Sequence, residues 1–264
     1  MERLILIETS TALCSAALAE DGVITAYRES SAPKAHASLT AVFIQEMLEE
    51  KGLTIADCDA VCVSKGPGSY TGLRVGVSTA KGLCFGSGKP LIAIGTLDIL
   101  TAQAQEASSE TGIADTSETV IADHSGTVIA DLIGNPPHIV PMIDARRMEV
   151  YAATFKRTDA PANHSEATPR YTQVTETAPA IIDETSYTDL LEQGPGLFIG
   201  DGAGKCADVI KHPNATFIQC WPKASAMLQP ALRAYRERRF EDVAYFEPFY
   251  LKEFVATVSK KKLF

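Results

Sequence analysis

Apolar residues in the first fifty positions fall into three short runs and one longer periodic stretch. Turn residues such as Ser10 and Gly22 separate the short runs, so tight turns join them and the strands run antiparallel. The predicted strands span 4–8, 14–19 and 23–29. From 35 to 51 the apolar residues recur at intervals of three to five, which predicts an amphipathic helix that stops at Gly52.

Strands and helices alternate over the following residues. An apolar run at 60–64 predicts a buried strand, and a glycine-rich loop follows it. The remaining predicted elements are a helix at 71–85, a strand at 91–94 and a helix at 97–105. This alternation indicates a partly parallel sheet covered by helices.

A tandem octapeptide separates the two halves of the chain. Residues 110–133 read ETGIADTS, ETVIADHS and GTVIADLI, and eight residues are too few for a helical repeat unit. We interpret 107–134 as an insertion or loop between a first lobe at 1–106 and a second lobe at 135–264. Part of the C-terminal helix is expected to return to the first lobe.

The second half has weaker patterns. It contains predicted strands at 138–144, 150–156 and 171–174. A helix is predicted at 223–240, and Pro230 is expected to kink it because proline removes a helical hydrogen bond.

Composition and charge narrow the class of protein. The 264 residues are 45% hydrophobic and 22% charged, as in ordinary globular proteins, which excludes a coiled coil or a wholly disordered chain. The net charge of -9 disfavours unaided nucleic-acid binding, since acidic surfaces repel phosphates. The first apolar run is too short for a signal peptide or membrane span, and the six cysteines form no CxxC pair. We therefore expect a cytoplasmic protein with reduced, buried thiols and no membrane partner.

Two glycine-containing segments are candidate anion or nucleotide loops. In KGPGSYTGLR, Gly66 and Gly68 allow a tight turn, Ser69 can cap the next helix, and Arg74 lies close by. A capped turn without a ligand explains the same residues, and the Walker lysine pattern is absent. The second segment, Gly200, Asp201 and Gly202, follows a predicted strand and fits either a phosphate or adenosine loop or a plain tight turn.

Small residues recur every four positions along the helix at 71–85. Glycine inside a helix costs about 1 kcal/mol relative to alanine, so this pattern indicates close approach of another helix, from this chain or from a partner. Ser78, Gly82 and Gly86 form a neighbouring small stripe. Together with the apolar stripe of the preceding helix, the candidate partner-binding residues are Leu39, Val42, Phe43, Met47, Gly72, Leu73, Gly76 and Ala80.

Residue patterns for catalysis are sparse. The five histidines are scattered, and neither HxxxH nor HExxH places two on one helical face to bind zinc. No GxSxG elbow is present. Glu8 at a strand end could coordinate a metal or orient a base, although a structural, hydrogen-bonded acid fits that position as well. We assign no catalytic residue and no metal ligand.

Several of these segments together resemble the bacterial TsaB (YeaZ) family. They are ILIETST at 5–11, the helix with His36, KGPGSYTGLRVGVSTAKGL at 65–83, MIDARRMEVY at 142–151 and GDG at 200–202. The resemblance implies an α/β, two-lobed actin-like, Hsp70-like ATPase (ASKHA) fold with mixed central sheets and flanking helices. It also implies a non-catalytic subunit in tRNA threonylcarbamoyladenosine synthesis, which binds and activates the transferase TsaD together with TsaE.

The resemblance carries further expectations about partners. Pairing through the first-lobe helices, with TsaD or in a homodimer when isolated, predicts that Gly76→Leu weakens pairing and leaves the monomer folded. The TsaD metal histidines would fall at Thr96 and Leu100. No cofactor is required, weak nucleotide binding stays open, and tRNA is met only indirectly through the complex.

Two departures from the family pattern keep other functions open. Glu8 replaces the usual aspartate, and the octapeptide insertion is foreign to the family. The alternatives are an ATP-binding or ATP-hydrolysing enzyme and, disfavoured, a glycoprotease-like peptidase. Direct tRNA binding would need a basic surface formed by Arg233, Arg236, Arg238, Arg239 and Lys260 to Lys262.

Overall fold

The first lobe is a five-stranded mixed sheet covered by helices on both faces. The computed structural model describes residues 1–109, 119–121, 136–158 and 170–251. The strands of this sheet are β1 (Arg3–Glu8), β2 (Cys14–Glu20), β3 (Val23–Ser30), β4 (Ala60–Gly66) and β5 (Leu91–Gly95). Their spatial order is β3-β2-β1-β4-β5, with β1 to β3 antiparallel and β4 and β5 parallel to β1. The predicted meander and parallel extension are confirmed.

The buried residues of β1 alternate between two hydrophobic cores. Ile5 and Ile7 pack into the core beneath α1 (Ala35–Glu50) and α2 (Tyr70–Ser87). Leu4 and Leu6 pack into the core on the opposite face, which includes residues of α6 (Leu228–Arg236). Because successive strand residues point to opposite faces, a continuous apolar run is what a strand covered on both sides requires.

The C-terminal helix is shorter than predicted, and its proline does not kink it. The single helix expected at 223–240 is wrong: a short 3-10 turn at Ser225–Met227 precedes α6, which ends at Arg236. Pro230 lies in the first turn of α6, where backbone N–H groups have no partner within the helix. The missing amide hydrogen therefore disrupts nothing.

The second lobe contains an eight-stranded sheet with two short helices. Its strands are β6 (Thr119–Ile121), β7 (His138–Asp144), β8 (Glu149–Ala152), β9 (Phe155–Thr158), β10 (Arg170–Gln173), β11 (Ala178–Ile181), β12 (Gly196–Ile199) and β13 (Ala215–Gln219). The helices are α4 (Thr188–Glu192) and α5 (Ala203–Ala207). β7 and β12 run parallel, as do β12 and β13. The backbone of β6 pairs antiparallel with β13, so the middle octapeptide supplies an edge strand. The rest of the repeat lies outside the described residues.

The single strand predicted at 150–156 is wrong, because the chain forms two strands there. β8 pairs with the end of β7 and with β11, whereas β9 pairs with the start of β7 and with β10. The break lies opposite Pro141, which has no amide hydrogen to donate to the ladder. At the break, Thr154 bonds instead to the backbone of Val174 and the hydroxyl of Thr175.

The lobes are joined by α3 (Thr96–Ser109) and by the chain between β13 and α6. In α3, Leu97 and Leu100 pack into the second-lobe core, while Ile99 belongs to the core shared with α6. None of the helices in the described part of the chain combines the length and the apolar character that crossing a bilayer requires.

The segment after α6, residues 237–251, runs back across the first lobe; we call it the C-terminal strap. The Glu241 amide donates to Leu91 O at 2.8 Å, and the Phe249 amide donates to Lys65 O at 2.7 Å. The strap therefore contacts β5 and β4, and its last residues cover the turn that leads into α2.

Candidate partner surface and glycine loops

The Gly72, Gly76 and Ala80 stripe faces the inside of the first lobe. A Cβ atom on Gly72 would lie less than 3.0 Å from Thr9 O, and one on Gly76 would lie equally close to Thr9 Oγ1. Ala80 is fully buried. The expectation that Gly76→Leu leaves the monomer folded is therefore wrong, since Thr9 occupies the space that a side chain would need.

Most of the predicted apolar partner residues also belong to the core. Phe43, Met47 and Leu73 are buried, and only Leu39 and Val42 of the apolar stripe reach the surface. Val42 is 41% exposed, and Leu39 is half-buried against the core. Phe43, Met47 and Leu73 can therefore pack beneath a partner surface but cannot contact a partner themselves.

The outer face of α2 carries small residues that no contact within the monomer requires. Cβ atoms added to Gly82 or Gly86 would meet nothing within 4 Å, and Ser78 is exposed. Phe85, between the two glycines, is 87% exposed. An exposed phenyl ring beside two costly helical glycines is typical of a surface that another helix can approach closely. We call Ser78, Gly82, Phe85 and Gly86 the outer α2 face.

The C-terminal strap adds a second exposed aromatic residue near this face. The Lys81 ammonium donates to Ala244 O at 3.1 Å and to Phe246 O at 3.0 Å. This fixes the strap against α2 next to Gly82, with Phe246 packed against the core and Tyr245 85% exposed. Sequence reasoning missed Phe85 and Tyr245, because periodicity alone does not show which aromatic residues stay uncovered.

The loop at 65–74 is closed by contacts within the chain. The Ser69 amide donates to Ser10 O at 2.6 Å, and the Ser69 hydroxyl caps α2 by accepting from the Gly72 amide at 3.3 Å. Gly68 lies tightly against Ser10. The Arg74 guanidinium sits over the Tyr70 ring, 5.6 Å from its centroid.

Gly66 is also held by the strap. Its φ of +106° suits glycine, and a Cβ there would lie less than 3.0 Å from Phe249 O. The capped-turn alternative therefore accounts for Gly66, Gly68 and Ser69 without a ligand.

The Gly200 to Gly202 segment is likewise a packed turn. Gly200 has φ +130° and lies against Met142 O, which also accepts a hydrogen bond from the Gly202 amide at 3.0 Å. Asp201 Oδ1 accepts from the Asp144 amide at 2.9 Å, and burial raises the pKa of Asp201 to about 6. Close packing against β7 explains both glycines and gives Asp201 a structural partner.

Glu8 lies buried where β1 ends. Its Oε1 accepts from the Ser10 amide at 2.5 Å, whereas Oε2 has no hydrogen-bond partner in the described part of the chain. Burial raises the pKa of Glu8 to about 7, against the lowering effect of hydrogen bonds from Ser10 and Ser64. At pH 7 such a carboxyl is about half protonated, and its neutral form is the one that this enclosed position favours.

The positions that the TsaD resemblance assigns to metal histidines lie inside the protein. Thr96 and Leu100 are both buried. Among residues 1–109, 119–121, 136–158 and 170–251, no three His, Cys, Asp or Glu side chains lie close enough to hold a metal ion.

In the proposed basic surface, Arg236 pairs with Glu2 and Arg239 with Glu237, so acids neutralise half of its arginines. Lys260 to Lys262 lie outside the described residues.

The sequence is similar to two kinds of protein. Residues 28–114 match the family model described as TsaD, tRNA N6-adenosine threonylcarbamoyltransferase. The chain is 28% identical to the tRNA threonylcarbamoyladenosine biosynthesis protein TsaB of Escherichia coli, over 96% of each chain. The Haemophilus influenzae protein of the same name is 27% identical over 98% of this chain and 96% of its own. The transferase of Erythrobacter litoralis is 39% identical, but over 30% of this chain and 23% of its own.

Two solved structures from Pseudomonas aeruginosa share the fold. One, described as an uncharacterized protein with similarity to peptidase YEAZ, has a TM-score of 0.73 and 22% identity, covering 96% of this chain and 100% of that one. The other, described as YeaZ, has a TM-score of 0.72 and 21% identity, covering 95% and 100%. The expected α/β fold with mixed central sheets and flanking helices is confirmed, and these two structures share it.

Proposed function

We propose, on the premise that this chain is related to the TsaB (YeaZ) proteins, which it matches over 96% of its residues or more, that it takes part in tRNA threonylcarbamoyladenosine synthesis. In this proposal it is a cytoplasmic, non-catalytic subunit that binds and activates TsaD together with TsaE. The isolated protein pairs with a second copy through the same surface.

The outer α2 face is the observation that carries the proposal. Inside the monomer no neighbouring atom requires glycine at positions 82 and 86, although glycine lowers the stability of the helix. Phe85 exposes its apolar ring to solvent, which is also unfavourable. All three features become favourable once another helix packs against α2. Val42 on α1 and Tyr245 on the strap supply further exposed apolar surface.

The location of the TsaD-like segment supports the choice of partner. The match to the transferase family spans 28–114, which includes all of α1 and α2. If the two proteins share this helix pair, each presents a similar surface to the other. Helices then pack across the interface as in a bundle between related subunits.

A supporting rather than catalytic role agrees with the remaining geometry. Thr96 and Leu100, the positions expected to hold the transferase's metal, carry no metal ligand and are buried. The two glycine loops are packed against Ser10, Phe249 and Met142, so their shapes require no nucleotide. We propose that no cofactor is needed. The ATPase and peptidase alternatives gain no specific support from these contacts.

The test is capture of this chain by immobilised TsaD. Phe85→Ser is expected to weaken capture at least about tenfold, because truncating a central interface aromatic costs about 2 kcal/mol or more. Ile181→Ser is the matched control, since Ile181 is 79% exposed on β11 of the second lobe. Its capture should change less than about twofold. Equal capture of both variants at wild-type strength would contradict the proposed surface.

A further inference from the structure

The turn between β7 and β8 carries two arginines on left-handed backbone. Arg146 has φ +72° and Arg147 has φ +53°. The Ala145 amide donates to Glu149 O at 3.0 Å and the Glu149 amide to Arg146 O at 3.2 Å, which closes a tight hairpin turn. Glycine and asparagine are the residues that such backbone favours. The turn itself therefore gives no reason for two arginines, and backbone of this kind in other proteins clusters at functional sites.

A network below the turn holds it in place. The Lys205 ammonium donates to Asp144 Oδ1 at 2.5 Å, to Arg147 O at 2.8 Å and to Glu149 O at 2.6 Å. Asp144 Oδ1 also accepts from the Arg146 amide at 2.7 Å. These bonds fix the backbone of both arginines, so their side chains start from a preorganised position.

The two guanidinium groups are exposed and unused. Neither Arg146 nor Arg147 forms an ion pair or side-chain hydrogen bond with any residue that the structure describes. By contrast, Arg3, Arg28 and Arg236 each pair with a glutamate. In a chain of net charge -9, two adjacent unpaired arginines form a local site for an anion.

We infer that the Arg146–Arg147 turn contacts phosphate groups of the tRNA backbone when this chain is in its complex, which departs from the expectation that the chain meets tRNA only indirectly. The inference rests on the proposed function, which places a tRNA in that complex. Guanidinium forks match phosphate oxygens in geometry and charge. A protein interface would need an apolar centre beside the charges, and the turn residues next to the arginines, Ala145 and Met148, are half-buried.

The experiment measures binding of an unmodified tRNA transcript to the complex of this chain with TsaD and TsaE, between 50 and 200 mM salt. Arg146→Gln/Arg147→Gln should weaken binding at least about tenfold and lower the salt slope by about 1.5 to 2, as expected for two lost phosphate contacts. The matched control is Lys34→Gln, since Lys34 is also exposed, is also at positive φ (+65°) and forms no ion pair with any residue that the structure describes. That variant should change binding less than about twofold.

A second variant separates binding from folding. Arg146→Asn/Arg147→Gly suits left-handed backbone, so it should unfold at the same or a higher temperature while losing tRNA affinity to the same extent. Unchanged tRNA affinity in both double variants would overturn the inference. Weakened capture by TsaD or TsaE as the primary effect would also overturn it and would assign the turn to a protein partner. Weakened ATP binding alone would overturn it and would assign the turn to a free nucleotide.

These results are distinguishable from failure of the proposed function. If the wild-type chain neither captures TsaD nor supports product formation, the proposed function fails. If it does both and the double variants bind tRNA normally, only the inference about the turn fails.

Discussion

Two glycines of one helix should respond in opposite ways to the same substitution. Gly76 and Gly82 both lie inside α2, where glycine costs about 1 kcal/mol relative to alanine. At Gly82 an added methyl group meets open space, so Gly82→Ala should recover about 1 kcal/mol of unfolding free energy. For a chain of this size that raises the melting temperature by roughly 2–4 °C.

At Gly76 the same methyl group meets buried Thr9. Three atoms of its side chain, Oγ1, Cβ and Cγ2, would lie at 3.4 Å or closer. Thr9 is fully buried and cannot move aside freely. Forcing an extra group into a packed core costs about 1–3 kcal/mol, and we expect the upper half of that range here. After subtracting the helix gain of about 1 kcal/mol, Gly76→Ala should destabilise the chain by about 1–2 kcal/mol.

The assay is urea unfolding followed by far-ultraviolet circular dichroism, at a protein concentration where all variants have the same mass in solution. Stabilisation by Gly82→Ala and destabilisation by Gly76→Ala are the expected pair of results. Destabilisation by both would refute the outward position of Gly82. A neutral or stabilising Gly76→Ala would refute the close contact with Thr9, and with it the internal explanation of the buried stripe.

Three further predictions concern buried and bridging groups. The pKa of Glu8 is raised to about 7, so the stability that its neutral form contributes is fully present below about pH 4.5 and is lost as pH rises through 7. Glu8→Gln should therefore remove up to about 3 kcal/mol of pH dependence from the free energy of unfolding in urea. An unchanged pH profile would contradict the burial of Glu8. Lys81→Met removes two hydrogen bonds to the strap and should speed proteolytic cleavage within 237–251, while equal cleavage rates would show that the strap is held elsewhere. Cys62 is fully buried with a raised pKa, so it should react with a thiol reagent only on unfolding, and rapid native labelling would contradict this.

The first lobe could be predicted from sequence because its signals are local. Short apolar runs with turn residues between them fix the strands, and the period of 35–51 fixes α1. The kink predicted at Pro230 is wrong because α6 begins only at Leu228, and this start depends on packing against β1 rather than on the local sequence pattern. The break at 153–154 was also unpredictable, since it depends on hydrogen bonds to Val174 and Thr175.

The candidate surface could be predicted only in part. Periodicity placed Gly72 and Gly76 on one stripe of the helix and Gly82 on another, but it could not say which stripe faces Thr9. That assignment depends on the loop after β1, which is distant in sequence. For the same reason the glycine loops left two alternatives open until their contacts with Ser10, Met142 and the strap were known.

The most direct test of the central claim is threonylcarbamoylation of unmodified tRNA by TsaD and TsaE, with ATP, bicarbonate, threonine and the adenylate-forming enzyme. Product should form with the wild-type chain or Ile181→Ser and fall at least about tenfold when the chain is omitted or carries Phe85→Ser. The chain should not replace TsaD. Equal product with and without this chain, or product from this chain when TsaD is absent, would contradict a supporting role through the outer α2 face.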